Sequence, residues 1–356
     1  MMDADWPDAM VEGSLEWSFL RFADLDGLAE LRQAIEYFDE PIQHFGLPEL
    51  VESFHRPHAH PERSAVVGRE KGGTIVAYAW NVPSLPDDPR PQVWLHIGVH
   101  PAWRHQRLRH RLLAWSLNRA KEWYAQIAGP STGPLWVGCT AEESQAGITH
   151  SLVEAGLTPQ RWFFDMYRPL DAGHALPDTP PGEGVRLVSF DMRHAEPVRT
   201  AHNEIFGSLP GARPVSRMEW EASLSSPEFR AEFSWVAVAD HDHPRHPHPE
   251  HGRVVGYALN RVYEEESQGW TERLGVCPYW RGRGTGSALL VASMRSFVAS
   301  GLTTAGIGVD TERPADVEQL FGSVGFESRD HLVLYGRSVQ GEDLRRHQEG
   351  TLPVLP

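Results

Sequence analysis

The stretch Leu274-Gly-Val-Cys-Pro-Tyr-Trp-Arg-Gly-Arg-Gly-Thr-Gly-Ser-Ala-Leu-Leu290 decides the fold. An apolar run ends at Val276, a Pro-containing turn covers Cys277–Trp280, and Arg281-Gly282-Arg283-Gly284-Thr285-Gly286 precedes an apolar helical run through Ala288, Leu289, Leu290 and Ala292. This reads as strand, turn, glycine loop and helix. Three glycines let the backbone aim its N–H groups at one point with no Cβ in the way. The helix start adds unpaired N–H groups and a partial positive charge. The combination is an anion site suited to a pyrophosphate.

The same stretch occurs twice. Ile97–Leu113 aligns without gaps on Leu274–Leu290, and seven of the 17 pairs are identical, among them Gly98/Gly275, Pro101/Pro278, Trp103/Trp280 and Arg104/Arg281. Upstream, Ile75–Asn81 matches Val254–Asn260. A self-match of this kind indicates two copies of one fold. The copies differ at the loop, where Gly282, Gly284 and Gly286 are replaced by His105, Arg107 and Arg109. Three side chains take the space a phosphate would need, and a positive φ becomes costly. The first copy is therefore expected not to hold a nucleotide pyrophosphate in this way, unless Arg104, Arg107, Arg109 and Arg111 grip an anion through their side chains.

Working outward, the copies span 15–170 and 185–338. Between them 171–184 is rich in Pro, Gly and acidic residues and reads as the interdomain linker. Residues 1–14 and 339–356 read as loose tails. Strands alternate with helical stretches such as Leu25–Phe38, His110–Ala128, Glu142–Ala155, His194–Ile205 and Ser216–Leu224. The length of 356 residues suits two cores better than one. With 40% hydrophobic and 23% charged residues the chain is globular. No apolar run approaches the ~20 residues of a membrane span, and Met1–Trp6 carries no signal-peptide pattern. Two cysteines, Cys139 and Cys277, make no disulfide framework, which fits a reducing cytoplasm. The formal net charge of −15 argues against a nucleic-acid partner. It either concentrates a cationic small molecule or serves solubility alone.

Val276-Cys-Pro-Tyr-Trp-Arg281-Gly282-Arg283-Gly284-Thr285-Gly286 resembles the acetyl-CoA motif of the GNAT N-acetyltransferases. Gly308-Val309-Asp310 and Leu320-Phe321-Gly322-Ser323-Val324-Gly325-Phe326 resemble the strand and helix that follow it in that family. The resemblance implies an α/β (α+β) fold of two tandem GNAT domains, each a mixed, mostly antiparallel sheet flanked by helices. It implies acetyl-CoA as co-substrate and a small-molecule amine as acceptor. Two central strands would splay near Val276. Leu274, Gly275 and Val276 would pair with pantetheine, the N–H groups of Gly282, Gly284, Thr285, Gly286 and Ser287 would take the pyrophosphate, and Arg281 or Arg283 would stand nearby. A backbone N–H near Val276 would stabilise the oxyanion.

An alkylamine with pKa about 10.4 is mostly protonated at neutral pH, so a proton acceptor is useful. Alternation puts Glu272 on the face of Leu274 and Val276, and family bases often occupy this strand. Glu272 is the candidate base, acting through water; the competing reading is a strand carboxylate paired to Arg273 or Arg261. Leu95 holds its place in the first copy. The tyrosine that often protonates the family's leaving thiolate is matched by Phe321, which has no O–H, and Arg313 stands where many relatives carry Asn. Tyr263, Glu264 and Glu265, followed by Glu266, would attract an amine or form a solvated turn. The histidines of 241–251 read as a polar insertion or an adventitious metal site, and His55, His58 and His60 as a surface loop. Cys277 lies beside the thioester path, but direct transfer needs no cysteine. A non-catalytic acyl-CoA-binding or self-resistance protein is the competing function, favoured by Phe321 and opposed by Glu272 and the glycine loop.

Overall fold

The structure is a computed structural model that describes residues 15–39, 46–56, 60–129, 132–171, 173–207, 213–239 and 252–339. The insertion at 241–251, His58 and most of both expected tails lie outside the described residues. The chain forms two compact units: residues 1–161 with 332–356, and residues 162–331.

The first unit contains strands β1 (Glu16–Phe19), β2 (Ala65–Arg69), β3 (Ile75–Pro83), β4 (Gln92–Val99) and β5 (Leu135–Glu142). Its described helices are α1 (Leu25–Asp39), α2 (Leu47–Phe54), α3 (Pro61–Ser64), α4 (Leu108–Ile127) and α5 (Ala146–Glu154). Strands β1 to β4 pair in order and antiparallel, and β4 and β5 pair in parallel. The sheet is completed by Leu332–Val339 of β12 (Glu327–Val339), antiparallel to β5 along its whole length. Leu28 and Leu31 of α1 and Leu50 of α2 pack on Ile75, Tyr78 and Trp80. Leu108 and Leu112 of α4 pack with Val76, Ala77 and Val99 in a separate cluster. From Ala77 onward, past a register shift against β2, alternation along β3 gives the sheet two apolar faces, each covered by helix.

The second unit repeats the plan with β7 (Val185–Ser189), α6 (Ala195–Phe206), α7 (Arg217–Leu224), β8 (Phe229–Ala239), β9 (Val254–Tyr263), β10 (Gln268–Val276), α8 (Thr285–Ala299), β11 (Thr304–Thr311) and α9 (Pro314–Phe321). Strands β7 to β10 are antiparallel neighbours, and β10 runs parallel to β11. Here the completing strand is residues 162–169 of β6 (Thr158–Pro169), antiparallel to β11 from Thr304/Pro169 to Thr311/Trp162. Val198, Ala201 and Ile205 of α6 and Trp220 of α7 form one core with Val236, Tyr257 and Leu259. Leu290, Met294 and Phe297 of α8 form the other with Phe164, Ile307 and Phe321.

The units therefore divide at Arg161/Trp162 and His331/Leu332, not within 171–184. That segment, expected as a linker, runs within the second unit. Arg168 donates to the carbonyls of His174 and Ala175, and Leu176 packs on the core beneath α8. Helix α2 and the one-turn α3 were not read from sequence; each starts with proline in its first turn.

In both units the central parallel pair stops early. β10 and β11 pair only from Gln268/Thr304 to Thr271/Ile307. Beyond that point β10 stays with β9 as far as Val276/Gly256, while β11 stays with β6. Each strand follows its outer neighbour, so the two splay into a wedge. In the first unit β4 and β5 pair only over Gln92–Trp94 and Trp136–Gly138.

Ending the chain at His331 should leave β5 as a sheet edge. Amide exchange read by mass spectrometry should then show lost protection across 135–142 and retained protection across 268–276. Unchanged protection across 135–142 would refute the pairing.

Candidate functional site

The wedge is lined by backbone. The Cys277 N–H donates to the Val255 carbonyl on β9 at 2.8 Å. Successive strand residues point their backbone groups to opposite sides, so Val276 and Leu274 turn theirs away from β9 and into the wedge. The Val276 carbonyl accepts from Arg281 Nε at 2.9 Å. This leaves the Val276 N–H and both backbone groups of Leu274 for a strand-like ligand. The first copy repeats the arrangement: the His100 N–H donates to the Val76 carbonyl, and Arg104 Nε donates to the Val99 carbonyl at 3.2 Å. The arginine common to both copies thus ties the turn to the last strand residue. Arg283 stays exposed at the loop, with its guanidinium 4.6 Å from the Tyr279 ring centroid and 5.5 Å from that of Trp280.

Gly282 and Gly284 have φ of 70° and 82°, in the left-handed region. A Cβ on Gly282 would meet nothing within 4 Å, so the loop is open there. On Gly284 it would approach the Pro180 carbonyl at 3.5 Å, and on Gly286 the Leu320 side chain at 3.6 Å. Helix α8 begins directly after Gly284, and its first N–H groups have no carbonyl four residues back within the helix. The loop glycines and Ser287 therefore fit a pyrophosphate, whereas Thr285 is buried and its hydroxyl has no hydrogen-bond partner. In the first copy Arg107, the counterpart of Gly284, keeps φ at 54°. Substitution there has not removed the left-handed turn, although it costs about 1 kcal/mol. Arg109, in place of Gly286, lies against Gly147, where an added Cβ would come 2.5 Å from its Nη1.

Glu272 stands at an irregularity that simple alternation does not foresee. The β9–β10 register shifts between Thr271/Asn260 and Arg273/Leu259, so Glu272 occupies a β-bulge. The alternation that would group it with Leu274 and Val276 breaks there. Its carboxylate lies 3.5 Å from Arg261 Nη2. Arg261 follows Asn260, whose Nδ2 donates to Ser293 Oγ on α8, so Arg261 belongs to the opposite, α6/α7 face. The competing partner Arg273 instead stacks on Trp220, 4.8 Å from its ring centroid. β4 has no register shift against β3, and Leu95 is buried.

The remaining candidates separate. Glu264 and Glu265 are exposed in the turn before Gln268, at the end of β10 opposite the glycine loop, and Glu264 is 3.1 Å from Arg230. Tyr263 packs edge-on against Trp270. Phe321 is buried against Phe326 and offers no proton. Cys277 is buried, and burial raises its thiol pKa to about 11, which keeps it protonated and a poor nucleophile. Among the described residues no group of three or more His, Cys, Asp or Glu could hold a metal ion, and no helix is long and apolar enough to cross a membrane.

Sequence reasoning missed a polar cluster on the α6/α7 face. His202 Nδ1 is 2.6 Å from the Tyr257 hydroxyl, and its ring is tilted against Trp220. Burial, and then the positive charge of Arg273, lower the His202 pKa to about 4. The one available signal was the Tyr78/Tyr257 match in the repeated strand.

Comparison with known proteins agrees with this geometry. Residues 210–326 match the model of the acetyltransferase (GNAT) family. A mycothiol acetyltransferase from Streptomyces avermitilis is 27% identical over 270 residues, covering 74% of this chain and 77% of its own. Among solved structures, a GCN5-related N-acetyltransferase from Sphaerobacter thermophilus superposes with a TM-score of 0.61 at 21% identity, covering 91% of this chain and 96% of its own. A tandem GNAT protein from the clavulanic acid biosynthesis pathway gives 0.50 at 16% identity, covering 91% and 98%. These two likenesses establish the tandem fold.

Two outcomes follow. His202 titrates near 6.5 when unfolded and about 4 when folded, so the unfolded chain binds more protons in that window. Its contribution to stability is complete above pH 6.5 and is lost as pH falls toward 4; His202→Gln should flatten the fall in melting temperature over that range. Gly284→Arg, which copies the first unit, should still fold and cost about 1–2 kcal/mol in denaturant titration.

Proposed function

We propose that this chain, an acyltransferase that carries a GNAT domain and uses acetyl-CoA, moves the acetyl group onto a primary amine of a small molecule by direct attack in the 162–331 unit. The observation that carries the reading is the coincidence in one unit of the open glycine loop, the wedge and the bulge carboxylate. The other unit keeps the wedge but has neither the glycines nor the carboxylate.

Acetyl-CoA, when bound, supplies an acetyl group activated as a thioester. The chain's own residues do the rest. The N–H groups at Gly282, Gly284, Gly286 and Ser287 hold the pyrophosphate, aided by the α8 dipole and Arg283. Leu274 and the Val276 N–H offer backbone groups to the pantetheine amides. Glu272 takes a proton from the attacking amine, directly or through water. Arg261, 3.5 Å away, holds the carboxylate at the bulge. With phenylalanine at position 321, no side-chain acid is assigned to the thiolate. A thiol of pKa about 8.5 departs without one.

The acceptor is a small-molecule amine, and the name of the relatives makes a mycothiol-type amine the first to assay. The acidic chain and the absence of a long apolar helix among the described residues suit a protein of the cytoplasm that acts on small molecules.

Calorimetry should find acetyl-CoA binding in the wild type and none in Gly284→Arg. Binding that survives the substitution would remove the loop from the site. Glu272→Gln should retain acetyl-CoA affinity and lower kcat by about 10²–10⁴ with loss of the acidic limb of the pH–rate profile. An unchanged profile would exclude Glu272 as the base.

A further inference from the structure

We propose that Arg273 reads a carboxylate on the acceptor, so that the amine acetylated is that of an amino carboxylate. The inference rests on the function proposed above and names the substrate class of the same site. Three observations carry it.

Among the described residues Arg273 has no hydrogen-bond or ion-pair partner. Its Nη1 is buried and makes no hydrogen bond, and no carboxylate lies in ion-pairing distance among the described residues. Arg261, by comparison, is engaged by Glu228 at 3.8 Å and Glu272 at 3.5 Å. A buried guanidinium N–H left unmade costs more than a typical hydrogen bond returns, so its persistence needs a reason.

Its position is the second. Parallel pairing of β10 and β11 ends at Thr271, so Glu272 and Arg273 are the first two residues beyond the apex of the wedge. In a regular strand they would point to opposite faces. The bulge brings both to the α6/α7 face: Glu272 reaches Arg261, and Arg273, opposite Leu259, lies over Trp220 of α7. A proton acceptor and an anion receptor thus stand side by side where an acceptor amine must approach.

The third is preorganisation. The guanidinium carbon lies 4.8 Å from the Trp220 ring centroid, which holds the side chain against α7; a guanidinium is a planar fork that matches a carboxylate in two parallel hydrogen bonds. His202 and the Tyr257 hydroxyl stand on the same face, and His202 is neutral at neutral pH, so neither competes as a counter-charge. In the first copy Arg273 is replaced by His96 and the bulge is lost with it.

The test pairs amino carboxylates with their methyl esters as acceptors of the full-length protein. KM for the free carboxylate should lie about 10- to 100-fold below that of the ester, as expected for a charged hydrogen-bonded pair. Arg273→Gln should raise it to the ester value, and Arg273→Lys should recover part of the difference. Equal KM values for carboxylate and ester, with both acetylated, overturn the inference and leave the acetyltransferase reading intact. If no amine is acetylated, that reading fails. Binding then decides the site: an amino carboxylate titrated into wild type should raise the His202 pKa followed by NMR, and an equal response in Arg273→Gln overturns the inference.

Discussion

The structure depends on two backbone ladders that pull one pair of strands apart. β10 is held by β9 along almost all of its length, and β11 by β6 along all of its own. Their mutual pairing lasts four residues. Backbone N–H and C=O groups in such a gap need partners, and an extended amide-bearing molecule can supply them in register. The wedge is thus set by sheet topology rather than by any side chain. The glycine loop and the helix start stand at its rim, and the bulge at Glu272 stands at its apex.

The repeat made much of this legible. Paired Gly-Val-x-Pro-x-Trp-Arg segments announced two copies, and the three glycines marked the copy whose loop has two left-handed glycines. What escaped was non-local. Alternation in β6 and β12 says that each is a strand but not which neighbour it pairs with, so the exchange of closing strands was invisible, and 171–184 read as a boundary. The bulge escaped because a period of two has no means of announcing its own interruption. Arg273 and His202 escaped because a lone arginine or histidine gains meaning only when its surroundings are known.

The first copy shows which parts of the motif are architecture. It keeps the wedge, the arginine that ties the turn to the strand, and a left-handed residue at the loop, even with arginine there. It lacks the glycines, the carboxylate and the bulge. The retained parts satisfy backbone groups that any such turn would expose.

The exchange of closing strands also sets a timetable for synthesis. The partner of Glu142 is Leu332, 190 residues further along (332 − 142). At roughly 5–20 residues per second, the ribosome leaves β5 without that neighbour for about 10–40 s. During that interval the first unit is a five-stranded sheet with an open edge, and the chain that finally covers it is made only after the whole of the second unit. The half of the chain that is made first is therefore finished last.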